Sequence, residues 1–323
     1  MIVEVFFVNS EHEILLGNIA QDYYLSNLSI SDISKKYSIS RYLILKYLDE
    51  ARSTGLVSIN IHTIYQRNDE LEQRLINMFP IKNLYILKNP TNPAERDDLA
   101  SSFAAYQIQA AIKNAHVVGL SWGDMIFSTL NKFRPTQQDD LVFTQFLGEN
   151  MKYHSLTGST RMVQRAAVNY NAPYFTIPGP LYILNKDVRK QLAKEPSMEK
   201  AFEHAKKMDM IISSVGTLDS IEANQPWYDN IDKIFPGVDL DEIAGMVFAR
   251  PYDINGQFLI DEKDSTAFST PLENILNVPR RFGIVTRKSK TNAVLGALRG
   301  GFFTDLITTE SIALKILKEL DKE

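Results

Sequence analysis

Cysteine is absent from all 323 residues. That excludes disulfides, thiolate nucleophiles and cysteine-ligated zinc, and it fits a reducing, cytoplasmic setting. Histidine is scarce. His12, His62, His116, His154 and His204 are scattered and never fall at metal-site spacing, so no metal and no cofactor is expected. His116 lies in an apolar run and reads as a core residue; His154 falls in a candidate ligand loop. Long apolar runs are also missing. The opening MIVEVFFV is brief, lacks a basic flank and soon meets Glu11 and Glu13, so it does not read as a signal peptide. No stretch of about 18 apolar residues offers a membrane span. No Walker loop, no Gly-x-Gly-x-x-Gly and no Gly-x-Ser-x-Gly nucleophile elbow is expected. Repeats and low-complexity segments are lacking as well.

What is present is ordinary globular material, 44% hydrophobic and 23% charged, with a net charge of −4. The length allows two domains. The acidic total argues against a protein that coats nucleic acid, while a small basic module on an acidic body suits local DNA binding.

Residues 28–60 supply such a module. Ser29 can cap a first helix, with Asp32 in its first turn and Ile33 and Tyr37 on one face. Ser38-Ile39-Ser40 forms a turn. Ser40 then caps a second helix, in which Leu43, Ile44, Tyr47 and Leu48 recur with helical period, and Gly55 ends it. A helix over residues 10–27 precedes them and makes a three-helix unit. Val57, Ile59 and Ile61 read as a strand leaving it. Lys35, Lys36, Arg41, Lys46 and Arg52 outnumber Asp49 and Glu50 by three over residues 35–52. Such a surplus can neutralise phosphates, with Ser40, Arg41 and Tyr42 at the end that reads bases; an ordinary solvated helical hairpin would carry similar charges. The candidate DNA contacts are Ser29, Lys35, Lys36, Ser40, Arg41, Tyr42, Lys46 and Arg52.

From residue 69 onward helices and short apolar strands alternate. Strands are expected at 84–87, 115–120, 141–147, 174–178, 210–216, 282–286 and 305–308. Helices are expected at 69–78, 95–114, 157–170, 186–206, 289–299 and 309–321, and another from the 121–124 loop to Phe133. The alternation predicts a doubly wound, mostly parallel α/β sheet, with ligands outside the carboxyl ends of its strands. The candidate loops are 121–125, 148–154, 178–187, 214–220 and 286–290.

Three groups in this part carry chemistry. Gly119-Leu-Ser-Trp-Gly123-Asp124 joins a strand to a helix, where backbone N–H groups can hold an anion or a sugar hydroxyl; a tight turn is the plainer use of the glycine. Arg287, Lys288 and Lys290 follow a late strand and can pair with phosphate or carboxylate, or simply face water. Tyr252-Asp-Ile-Asn-Gly256 is a turn, to which Asp253 can add a ligand contact. Paired carboxylates such as Asp139-Asp140 and Asp241-Glu242 read as surface charge.

Taken in order, these pieces resemble the SorC family of sugar-responsive bacterial transcription regulators over almost the whole length. The Leu28–Gly55 unit is similar to the family's DNA-binding domain, and Gly119-Leu-Ser-Trp-Gly123 to its strand-then-Trp-Gly loop. Ile177-Pro-Gly-Pro-Leu181 with Asp187-Val-Arg189, and Met208-Asp-Met-Ile-Ile-Ser-Ser-Val-Gly216, match two further segments. The sharpest match is Lys290-Thr-Asn-Ala-Val-Leu-Gly-Ala-Leu-Arg-Gly-Gly301, continued by Leu306-Ile-Thr-Thr-Glu310. The resemblance implies a domain at 1–60 that binds double-stranded operator DNA. It also implies, at 61–323, a domain that binds a sugar or sugar phosphate and forms a homo-oligomer, dimer or tetramer. The fold expected there is that of ribose-5-phosphate isomerase, used as a sensor and not as an enzyme; the function implied is repression of a carbohydrate-utilisation operon.

By position the resemblance points to Ser121, Trp122, Gly123, Asp124, Met125, Gly148, Glu149, Asp253, Arg287 and Lys290 as effector contacts. This chain has Asp124-Met125, Glu149 and Arg287 where relatives carry threonine or glycine, and Leu43 and Leu45 where recognition helices are often polar or basic. Two rivals remain. One is an isomerase or deaminase on the same fold, with Glu149 and His154 as its acid–base pair. The other is a sensor whose head binds protein or only weak DNA.

Overall fold

A computed structural model describes residues 3–57, 65–150 and 159–322. The chain divides into two compact units, Met1–Ile64 and Tyr65–Glu323.

Among the described residues the first unit holds three helices, α1 (Val3–Tyr24), α2 (Ile30–Tyr37) and α3 (Arg41–Ser53). The expected caps form. Ser29 accepts from the Asp32 amide at 3.2 Å and returns its hydroxyl to the Asp32 carboxylate at 2.6 Å. Ser40 accepts from the Leu43 amide at 3.3 Å. Ser38 takes the left-handed conformation that ends α2, at φ 56°, and Gly55 does the same just beyond α3, at φ 80°. Leu16, Ile19 and Ala20 of α1 close on Ile33 of α2 and on Ile44, Leu48 and Ala51 of α3. Each large side chain contributes about 1.5–3 kcal/mol on burial, enough to hold helices that are marginal alone. Val57 packs against this core and is not in a strand; Ile59 and Ile61 lie outside the described residues.

Asp22 ties α1 to α2. Its carboxylate accepts from Lys36 Nζ at 2.7 and 3.0 Å and from the Tyr37 hydroxyl at 2.7 Å. The Lys36 bond, then the Tyr37 bond, hold the Asp22 pKa below its ordinary value. The contribution is therefore present above the ordinary carboxylate pKa and is lost as pH falls through the lowered one. An Asp22→Asn variant is expected to lose this acid-dependent part of the head's stability. Amide protection of α1 and α2 in the full chain, followed by hydrogen exchange across pH, checks it.

The second unit runs α4 (Asp69–Ile76), β1 (Asn83–Leu87), α5 (Arg96–Ile112), β2 (Val117–Leu120), α6 (Asp124–Asn131), β3 (Val142–Gln145), α7 (Ser159–Tyr170), β4 (Tyr174–Phe175), α8 (Lys186–Leu192), α9 (Pro196–Ala205) and β5 (Met210–Ser213). Three one-turn helices follow, α10 (Asp219–Glu222), α11 (Gln225–Tyr228) and α12 (Ile231–Ile234). Then come β6 (Gly245–Val247), β7 (Arg250–Tyr252), α13 (Leu272–Leu276), β8 (Arg280–Ile284), α14 (Thr291–Arg299), β9 (Asp305–Thr309) and α15 (Glu310–Leu320). Seven strands form one sheet in the order β1-β9-β8-β5-β2-β3-β4. Every pair in it is parallel. One face is covered by α5, α6 and α7 and the other by α4, α14 and α15, each over its own apolar core. This is the expected doubly wound α/β class. Among the described residues no helix is long and apolar enough to cross a membrane.

Two local expectations need correction. The single helix read over 186–206 is two, because Pro196 starts α9 and cannot donate an amide to a continuing turn. His116 is not a core residue: it stands exposed before β2, 3.4 Å from the Asp209 carboxylate. The Asn-Gly turn forms as expected, with Tyr252 and Phe258 bridged across it, and a tighter hairpin joins β6 to β7 through Phe248 and Ala249, both at positive φ. Arg250, 2% exposed, clamps it by donating to the Phe248 carbonyl at 2.6 Å and to Glu262.

Candidate functional site

After β2 the chain moves to β3 on one side; after β5 it moves to β8 on the other. The sheet therefore reverses its winding between β2 and β5, and such a switch point is where a ligand crevice is expected, at the strands' carboxyl ends. Ser121 and Ser213, each the first polar side chain at the end of an apolar strand, meet at its base. The Ser121 hydroxyl donates to Ser213 Oγ at 3.0 Å, and both residues are buried. Ser214 Oγ donates to the Ile284 carbonyl at 2.8 Å and links this floor to β8.

The cations enter from β8. Lys290 lies at the end of the 3-10 turn before α14, and its Nζ donates to the Val215 carbonyl at 2.6 Å. Desolvation pulls its pKa down, Arg287 pulls it further, and Asp124 and Asp219 act the other way. Arg287 reaches the Asp124 carboxylate at 3.2 Å, with both side chains more than half exposed, a pair worth little in water. Gly123 before α6 offers no side-chain cap, so that helix N-terminus keeps amides for an acceptor, whereas the 3-10 turn takes the Lys290 and Thr291 amides ahead of α14. Gly123 has φ 148°, a conformation that favours glycine.

The arrangement gathers two cations, two carboxylates, serine hydroxyls and helix amides around one polar crevice. It suits a small polyhydroxylated molecule, with the carboxylates accepting from its hydroxyls and the cations holding an anionic group. Trp122 and Met125 turn away and pack on the cores. Ser213, Ser214 and Asp219 were missed as residues, although their loop was not. The signal was the serine pair that ends the apolar run Met210–Ile212.

Other expected contacts are engaged elsewhere. A Cβ on Gly148 would lie 2.5 Å from the Pro180 carbonyl oxygen, so this glycine serves a close backbone approach. The Glu149 carboxylate accepts from Gln145 Nε2 at 2.9 Å, from the Thr160 amide at 2.6 Å, and from the Thr160 hydroxyl. It thus caps the start of α7. Asp253 accepts from the amides of Asn255 and Gln257 at 3.0 and 2.8 Å, inside its own turn. That turn packs on Gly296 and Gly300, along α14 from Lys290. His154 lies outside the described residues.

One pattern escaped the sequence reading. Gly119-Leu-Ser-Trp-Gly123 has the letters of a hydrolase nucleophile elbow, Gly-x-Ser-x-Gly, at a strand-to-helix junction. Ser121 is not among the residues at positive φ, and its hydroxyl donates to a serine, not to a histidine. The geometry is that of a binding residue.

In the first unit, α3 buries Ile44, Leu48 and Ala51 and exposes Arg41, Tyr42, Leu45, Lys46 and Asp49. Lys35 and Arg52 are exposed. Arg41 donates to Ser31 Oγ at 2.8 Å, Lys36 is held by Asp22, and Ser29 and Ser40 spend their hydroxyl oxygens on caps.

A doubly wound sheet with a polar crevice at its switch point defines a small-molecule-binding α/β unit; the same chain carries a capped three-helix head. Residues 64–318 match the family model described as "Putative sugar-binding domain", and the chain belongs to that family. It is similar to the sorbitol operon regulator of Klebsiella pneumoniae, 23% identical over 96% of this chain and 99% of the relative. It is also similar to the deoxyribonucleoside regulator of Bacillus subtilis strain 168, 21% identical over 93% and 96%. The crystal structure of the full-length sorbitol operon regulator SorC from Klebsiella pneumoniae superimposes with a TM-score of 0.79, at 21% identity over 94% of this chain and 98% of that one. These matches bear out the SorC-family resemblance and the fold.

Proposed function

We propose that this chain is a DNA-binding transcription regulator that represses a carbohydrate-utilisation operon until a sugar or sugar phosphate occupies the β2–β5 crevice. The supporting observation is that the likeness to operon regulators runs through both units, head included. In this reading residues 1–60 bind operator DNA and residues 61–323 bind effector and assemble a cytoplasmic dimer or tetramer. The chain acts as a sensor, not as an enzyme: Glu149 caps a helix and Ser121 has a serine partner. Lys290, Arg287, Asp124, Ser121 and Gly123 are the proposed effector contacts, with Ser213 beneath them. Lys35, Arg41, Lys46 and Arg52 are the proposed phosphate contacts.

An effector regulates only if it binds one state of the assembly better than another. A gel-shift titration against duplexes from a genomic library, with and without a panel of sugars and sugar phosphates, tests both halves of the reading. Arg41→Ala is expected to weaken the shift about three- to tenfold, as for the loss of one phosphate contact of about 1 kcal/mol, while the melting curve stays put. Unchanged affinity would remove Arg41 from the interface.

A further inference from the structure

The outward face of α3 has an unusual chemistry for a helix surrounded by basic residues. Tyr42 is 77% exposed and Leu45 48% exposed. They are three residues apart and so form one apolar stripe, opposite Ile44, Leu48 and Ala51. Leu43 is only partly exposed, so of the two leucines it is Leu45 that stands fully on this face. The stripe is framed by exposed cations that outnumber the exposed Asp49, with Arg41, Lys46 and Arg52 on the same helix and Lys35 on α2. Apolar side chains of this size cost solvation when left in water. A cationic frame around an apolar strip matches a surface with anionic rails and an apolar feature between them.

Duplex DNA offers that in its major groove, where the thymine C5-methyl is the apolar group on the base edges. We propose that Tyr42 and Leu45 read thymine methyl groups, so that this regulator selects its operator half-sites at A·T pairs by hydrophobic contact. Hydrogen bonding to base edges is secondary at these positions. The proposal rests on the DNA-binding reading above and adds the chemistry of its specificity. Leu45 has no hydrogen-bonding group, so it cannot use the donor and acceptor code; it can only distinguish a methyl from its absence.

The test uses the full-length protein and duplex DNA alone. A duplex is first enriched from a random pool, and its affinity is measured by fluorescence anisotropy at several salt concentrations. Each thymidine is then replaced by deoxyuridine, which removes only the methyl. At positions facing Leu45, replacement is expected to weaken binding about fourfold, the factor for one buried methyl-sized group, and about 15-fold when both half-sites are changed. Leu45→Ala is expected to abolish the thymidine–deoxyuridine difference there while keeping the same salt dependence. Equal affinity of wild-type protein for thymidine and deoxyuridine duplexes overturns the proposal and leaves DNA binding standing. So does a Leu45→Ala variant that still discriminates. Absence of salt-dependent binding to every duplex overturns the proposal together with the reading beneath it.

Discussion

A Lys290→Met variant is expected to bind operator DNA as the wild type does and to lose its response to a phosphorylated or carboxylated sugar. The affinity for that effector should fall about 30-fold or more. The figure follows from a charge-assisted hydrogen bond worth about 2 kcal/mol. An ammonium has three donors, and the Val215 carbonyl takes one. Two donors are left for a ligand, and Arg287 lies close enough to lower the Lys290 pKa. An anion lying between the two cations relieves that repulsion.

The same variant should not unfold more readily. In the folded chain the Lys290 pKa lies below its ordinary value, chiefly through desolvation. The unfolded state therefore holds the proton more firmly, and stability rises with pH between the lowered and the ordinary lysine pKa. Below the lowered pKa the charged ammonium opposes folding, and methionine removes that cost. A melting temperature equal to or above that of the wild type is expected, together with a failed induction curve. Effector affinity in the wild type should decline as pH rises through the lowered pKa, because the bound anion favours the protonated form. Isothermal titration with a sugar-phosphate panel reads both effects, and an unaltered titration of Lys290→Met would take Lys290 out of the site.

The sequence reached this lysine because charge placed after an apolar strand has few other destinations in a parallel sheet. The same logic placed the strands within a few residues, since each is a short apolar run with both faces buried. It did not reach the strand order. Nothing local in Val117–Leu120 or Met210–Ser213 says that these two lie side by side, 92 residues apart, and the Ser121–Ser213 contact follows only from that pairing. The Phe248-Ala249 hairpin was invisible for the opposite reason. It has neither the glycine nor the asparagine of a two-residue turn, and it is held by Arg250 and packing instead of local propensity. Glu149 falls in a candidate ligand loop and reads from the sequence as part of the pocket. A helix N-terminus that the sequence did not place beside it takes its carboxylate.

Gly256→Ala is expected to destabilise the α/β unit by about 3 kcal/mol without touching the crevice. Gly256 has φ 79°, where a Cβ costs about 1–2 kcal/mol. That Cβ would also lie 2.2 Å from the Gly300 amide nitrogen and 2.5 Å from the Gly296 carbonyl oxygen, and overpacking of this kind typically costs about 1–3 kcal/mol. The obstruction is backbone against backbone, so no rotamer relieves it. Gly296 and Gly300, four apart on α14, form the flat face on which the turn sits; a Cβ on Gly296 would meet the Asp253 carbonyl at 2.6 Å. The glycines of the Lys290–Gly301 segment thus serve packing, while its lysine serves the crevice. Asp253 belongs with the glycines. Asp253→Asn is expected to leave effector titration unchanged, because its carboxylate is occupied by the amides of Asn255 and Gln257. Urea midpoints for Gly256→Ala and effector titrations for Asp253→Asn separate the two roles. A normal midpoint would refute the packing account, and a lost titration would return Asp253 to the ligand.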